Sequence, residues 1–528
     1  MERKIEIMPA SFDAHWRYST YYIEVLRNIN VQYSKGGDYA LQSISQFDLE
    51  WNNVQSAQEW TALKAPSSIQ VAALCNRFPD AGIHLLEIRL HPHDRIRWLQ
   101  ASLNAARRMR DLDSESAHLG NLGMASLEIA QYDDAIHYHE QSLNVDRELG
   151  YPSGIAEDLN NLGMVYFYLG QYQKAHNLFE EALATLAELE DQQGQGIVLN
   201  SIGILANGQG NFQYACEVFQ KALNIFRSNA NLRNEGKTSN NLGLAYASLG
   251  KSQQAIECYR RSLEVVRVLG DQRSEGKVLI NLGLAYLASG EADLAIDHFE
   301  KCLEIAHQWN DRQNLSNALS NLGLAHAALG RYQQALNYHQ EHLNLVREIG
   351  YRQGEVNALG NLGLSYAALG DYEAAMQYYD QQLALARKIG DRRSEGAALG
   401  NLGIAYKMLG DLKKAIELYQ QQLSIAREIS NRQMEGDALS NLGNGLASLG
   451  DFEKAVAFHR PAIEIFREIG NHRYEAISTF NLALALSGAG DILSAIQSAQ
   501  QALEICKEIG DPHVPLIENQ LATWQEVV

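Results

Sequence analysis

Asparagine is the residue whose placement in this chain most suggests chemistry. Asn121, Asn161, Asn241, Asn281, Asn321, Asn361, Asn401, Asn441 and Asn481 stand at multiples of 40 residues, with Ser201 in the one remaining place. A carboxamide carries both a donor and an acceptor, so a row of them can pair with the backbone N–H and C=O of another polypeptide whatever its side chains. That is the chemistry of binding. The residues for covalent or metal chemistry are not in working patterns. GxxxxGK[ST], GxSxG and HExxH do not occur, and the five cysteines (Cys75, Cys216, Cys258, Cys302, Cys506) are scattered without a CxxC pair. His91 and His93 have no third ligand in view, and His137 and His139, two apart on a helix, point to different faces. The expectation is a protein without cofactor or metal that is not an enzyme.

The element that must carry this row is a repeat. The phrase NLGLAYASLG at Asn241–Gly250 is one of ten copies, alike with small changes, spaced without insertion or deletion. In the seventh copy Leu362, Gly363, Tyr366 and Leu369 follow helical spacing, and Gly370 and Asp371 break it. Tyr372, Ala375, Met376, Tyr379 and Leu383 resume a period of 3.6, and Gly390 and Asp391 close the unit. Each unit therefore reads as helix, tight turn, helix, short loop. The constant length follows from stacking, because an insertion inside a helix would rotate every later apolar face out of register. Two small residues mark the packing seam. A first-helix glycine recurs from Gly123 to Gly443 and gives way only to Ala483, and a second-helix alanine occupies every copy from Ala135 to Ala495. Glycine inside a helix costs roughly 1 kcal/mol against alanine, so close approach of the two helices is the reason to keep it. His139, His339 and His459 fall at the aromatic packing position of the second helix, which assigns them to the core. The turn between the helices carries glycine from Gly170 to Gly490, with Ala130 as the exception.

Leu-Gly-x-x-Tyr, then Gly-x-Tyr/Phe, then Ala-x-x-x-Tyr/Phe, resembles the tetratricopeptide-repeat (TPR) signature. The 40-residue period resembles the Pins/LGN-type subclass more than the common 34-residue repeat. The resemblance implies an all-α fold, a right-handed superhelix of ten regular repeats, in which first helices line a concave groove and the residue before the signature Leu points into it. Asn161, Asn241, Asn281, Asn321, Asn361, Asn401 and Asn441 then become candidates to hold an extended peptide. Bonding to the neighbouring helix is the alternative role for the same side chains. Leu244, Leu284, Leu324 and Leu364 lie one turn further along the groove, and Lys237 and Lys277 one turn before Asn241 and Asn281. The Lys-Asn-Asn-Lys-Arg carboxylate clamp of chaperone-binding members is not reproduced. An extended or amphipathic segment is therefore expected in preference to a carboxyl terminus.

The ends differ from the repeats. Residues 1–69 read as an N-terminal helical segment with helices around Asp13–Asn28 and Ala40–Leu63. Residues 70–115 read as a degenerate leading repeat, 116–510 as the ten repeats and 511–528 as a capping helix presenting Leu516, Leu521 and Trp524. Phe47–Trp60 is similar to the helix that joins the winged-helix part of STAND-type ATPases to their TPR sensor. That likeness implies an alternative function, a sensing arm acting with a separately encoded ATPase or effector enzyme. Pro461 is expected to kink its helix or to mark an early start. With 528 residues, 46% of them apolar, the chain is too long for one compact core yet able to bury apolar surface along a repeat. A net charge of −19 offers nothing to nucleic acid or anionic membrane. The N-terminus lacks an apolar signal region and no apolar run is long enough to span a bilayer, so a soluble cytoplasmic protein with a protein or peptide partner is expected.

Overall fold

A computed structural model describes residues 9–309 and 311–526. The described residues form 26 α-helices and no strand. The chain divides into two compact units, Met1–Asp311 and Arg312–Val528.

The first unit opens with α1 (Pro9–Tyr33), α2 (Gly37–Lys64), α3 (Ile69–Ala81), α4 (Ile83–Arg89) and α5 (Pro92–Met109). The two N-terminal helices run longer than the sequence suggests, and α4 is inserted between α3 and α5. Ile23, Leu26, Phe47, Val54, Phe78 and Trp98 bury one common core, with Trp51 stacked on Trp98 at 5.6 Å between ring centroids. Phe47, Trp51 and Val54 of the Phe47–Trp60 segment thus serve packing within this bundle. Arg89 caps the ring of Trp309 at 4.6 Å, so the bundle also touches the last repeat of its own unit. Five repeats follow, from Leu112–Glu128 with Tyr132–Leu149 to Gln272–Ala288 with Ala292–Gln308.

The second unit holds five more repeats, from Arg312–Ala328 with Tyr332–Glu348 to His472–Gly488 with Ile492–Ile509. A terminal helix, Val514–Gln525, closes it. Ile517, Leu521 and Trp524 are the buried face of that helix, whereas Leu516 is exposed. One residue of register separates the two leucine-type positions, and Ile517 rather than Leu516 shares a face with Leu521. The helix Phe452–Glu468 runs through Pro461, which therefore does not mark an early start.

Helix pairing rests on the small residue of the first helix. A Cβ at Gly363 would lie 2.3 Å from the Tyr379 ring, and one at Gly283 would lie 2.3 Å from Phe299. Each of the nine glycines faces His, Phe or Tyr in this way. In the tenth copy Ala483 has Ala499 at the matching second-helix position, so the methyl group enters where the ring is missing. The turns close by left-handed backbone. Gly170 has φ 72°, and the N–H groups of Gly170 and Gln171 return to the carbonyls of Phe167 and Tyr166. Ala130 takes the same conformation at φ 58°. In the junctions between repeats Asp191, Asp271 and Asp391 accept the N–H of the third following residue at 3.0 Å each, capping the next helix.

The junctions also carry ion pairs. Glu275, Glu355 and Glu395 each meet the arginine eight residues earlier, at the end of the second helix: Arg267–Glu275 at 2.7 Å, Arg347–Glu355 at 2.7 Å and Arg387–Glu395 at 2.8 Å. Arg352 and Arg392 of the loops add a second bond to Glu355 and Glu395.

Candidate functional site

The asparagine row lies on the first helices, and its members are half-buried. Hydrogen bonding resolves part of their role. Within the first unit Asn241 donates its amide to the Asn200 carbonyl at 3.1 Å, and Asn281 donates to that of Asn240 at 2.9 Å. In the second unit Asn321 donates to the Asn317 backbone carbonyl one turn earlier, at 2.9 Å. These three side chains therefore position themselves against helices. For Asn241 and Asn281 the donor goes to the neighbouring repeat, and the side-chain carbonyl takes no part in that bond.

Sequence reading missed the second asparagine row, Asn160, Asn200 and Asn240, which supplies these acceptors. The doubled Asn160-Asn161 and Asn240-Asn241 were its visible signal.

The apolar row beside it is open to solvent. Leu244 and Leu284 in the first unit are 38% and 41% exposed, and Leu324 and Leu364 in the second are 39% and 50% exposed. Met124, Ile404 and Leu484 continue the same position, also exposed. Such residues at one helical register cannot be core residues; they form a stripe on each unit.

Each unit also has a cavity on this face. In the first, Asn121 and Asn161 share about 290 Å³ with Arg233 and Lys237, closed from the N-terminal side by His84 and Leu86. Burial first, then the Arg233 charge, lowers the His84 imidazole, while Glu157 in the same cavity is raised, by burial first and then by Asp158. Lys277 is exposed and lies outside the cavity. In the second unit Asn401, Asn441 and Asn481 line a cavity of about 520 Å³ with Ile404, Gln422 and Asp437. Asn321, Asn361, Leu324 and Leu364 are not among its walls. Burial pushes the Asp437 carboxyl up to about 6, partly offset by the Gln433 amide, which donates to it at 3.0 Å.

Among the described residues no three His, Cys, Asp or Glu side chains come together as a metal site, and no helix is long and apolar enough to cross a membrane. Cys75, Cys216, Cys302 and Cys506 are buried thiols outside any disulfide, and burial raises each of them.

Comparison with known proteins bears on the fold. No curated protein matches the chain. Among solved structures, the quorum sensor NprR from B. thuringiensis, in its apo form, is 19% identical with a TM-score of 0.51, covering 67% of this chain and all of that one (100%). BtubC from P. vanneervenii is 24% identical with a TM-score of 0.39, covering 42% of this chain and 92% of that one. A Rap protein complexed with competence and sporulation factor is 15% identical with a TM-score of 0.46, covering 71% and 99%. The family model described as tetratricopeptide repeat matches residues 113–188, 194–268, 274–348, 354–428 and 435–508, most of the chain. With its helix pairs, glycine–aromatic seams and 40-residue register, the chain belongs to the tetratricopeptide-repeat family.

Proposed function

We propose that this protein is a non-enzymatic interaction scaffold that holds an extended or amphipathic peptide segment along its first-helix face. The observation that carries this reading is the exposed apolar stripe beside the half-buried asparagines. Leu244 and Leu284 on one unit, and Leu324 and Leu364 on the other, keep large apolar side chains in water at a strict 40-residue interval. Contiguous exposed apolar surface on a soluble protein marks a place where another molecule binds. The asparagines beside it supply amide groups able to meet a peptide backbone, and the alternation of apolar and amide rungs suits a segment with one apolar face. NprR, whose fold is similar, is named a quorum sensor, and a sensing use of the same face is compatible with this reading. The sensor-arm alternative drew on Phe47–Trp60. Phe47 and Val54 of that segment are in the core of the bundle, and no specific observation favours an ATPase partner.

The test is a photo-crosslinking residue placed at Leu364, compared with one at Gln377, which is exposed on the second helix. Cross-links to bound peptide at position 364 and not at 377 support the first-helix face. Equal yields at the two positions contradict it.

A further inference from the structure

The seventh and eighth repeats depart from the second to fourth at two matched positions. In the second to fourth repeats the second helix carries a small residue, Ala182, Ala222 or Ser262, and the first helix carries Asn160, Asn200 or Asn240. In the seventh and eighth the sizes are exchanged. The second helix carries Gln382 and Gln422, and the first carries Gly360 and Gly400. The glycine is what admits the glutamine. A Cβ at Gly400 would lie 2.5 Å from the Gln422 amide nitrogen, and one at Gly360 would lie 2.6 Å from that of Gln382. A carboxamide is thus delivered to this face from the opposite helix.

In both repeats that carboxamide is buried with an unpaired side-chain carbonyl, and in the eighth it also faces a cavity. Gln422 is 6% exposed, lines the 520 Å³ cavity, and its side-chain carbonyl has no hydrogen-bond partner among the described residues. A buried acceptor left unpaired is unfavourable, so its retention at a cavity wall points to a donor that arrives with a ligand. The second acceptor is Asp437. Asn471 donates to Gln433 at 3.0 Å and Gln433 donates to the Asp437 Oδ1 at 3.0 Å, which fixes the carboxylate and leaves Oδ2 out of this chain of bonds. Asp437 comes from the first helix of the ninth repeat, and the matching residues of the repeats on either side are Ala397 and Ile477. Ile404, Met434 and Ile477 supply apolar wall for an aliphatic stem. Arg393, exposed, also lines the cavity, and solvent screens its charge more than that of the half-buried Asp437. The net charge of −19 favours the approach of a basic partner.

We propose that this cavity of the second unit takes one basic side chain, lysine or arginine, of the bound peptide, with Asp437 as its counter-charge and the Gln422 carbonyl as a second acceptor. The proposal rests on the peptide-binding reading above and adds to it the class of residue recognised.

A dye-labelled positional-scanning library of octapeptides, read by fluorescence anisotropy against the full chain, tests it. The wild type is expected to favour lysine or arginine at one position by about tenfold or more over norleucine, the scale of a charge-assisted hydrogen bond. Asp437→Asn should abolish that preference, and Asp437→Lys should turn it toward glutamate. Peptide binding without a basic preference, or a preference that survives Asp437→Asn, overturns the proposal and leaves the groove reading standing. Absence of binding by any peptide overturns both.

Discussion

At the scale of single residues, the fold is a set of matched sizes. Gly363 exists because Tyr379 occupies the space a methyl group would need, and Ala483 is tolerated because Ala499 leaves that space open. Gly363→Ala is therefore expected to destabilise the chain by about 1–3 kcal/mol, the usual cost of overpacking, despite alanine's better helix propensity. In a Tyr379→Ala background the same change should be neutral or favourable. Thermal denaturation of the four proteins of this cycle measures the coupling, and additive effects would refute the size match. The buried histidines make a second residue-level prediction. Burial lowers His339, His342 and His459 to about 4 from an unfolded value of 6.5, with His342 adding to the effect on His339. Their folded values are depressed, so their stabilising effect is complete above pH 6.5 and is lost as pH falls toward 4. Each should cost roughly 1–2 kcal/mol at pH 5 relative to pH 7. His459→Phe, which restores a ring found in other repeats, should lessen the acid loss in melts at the two pH values. The small-residue seam was legible because it recurs in every copy. The exchange at Gly400 and Gln422 was not, since neither residue is unusual alone and only the contact joins them.

At the scale of elements, helix pairs and turns were legible from periodicity and from glycine placement. The exceptions are informative. Ala130 holds φ 58°, a conformation that costs a side chain about 1 kcal/mol and glycine nothing. Ala130→Gly should accordingly raise stability by up to about 1 kcal/mol, and an unchanged or lower melting temperature would contradict the account. The Arg–Glu clamps at the junctions join the loop arginines to a further arginine at the end of the second helix, which is distant in sequence. The left-handed residue at Gly390 folds the chain back so that Arg387, eight residues away, reaches Glu395. Pro461, a candidate early start, sits inside a continuous helix. Leu516 was misplaced by one position, because a short helix with both Leu516 and Ile517 offers two apolar registers and only packing selects one.

At the scale of the whole molecule, the family and the solenoid architecture of each unit were legible because ten copies repeat one pattern. The N-terminal bundle was less so, since it has no repeat to average over. Its contribution of His84 and Leu86 to the first unit's cavity follows from chain placement that no local pattern encodes. The central claim is that the first-helix face binds peptide through its apolar stripe and asparagines. Its most direct measurement is the affinity of the full chain for a peptide selected from a random library, compared among wild type, Leu324→Asp with Leu364→Asp, and Asn401→Ala with Asn441→Ala. The account predicts affinity at least about tenfold weaker in both variants, with helical content and melting temperature retained. Unchanged affinity in both folded variants would contradict it.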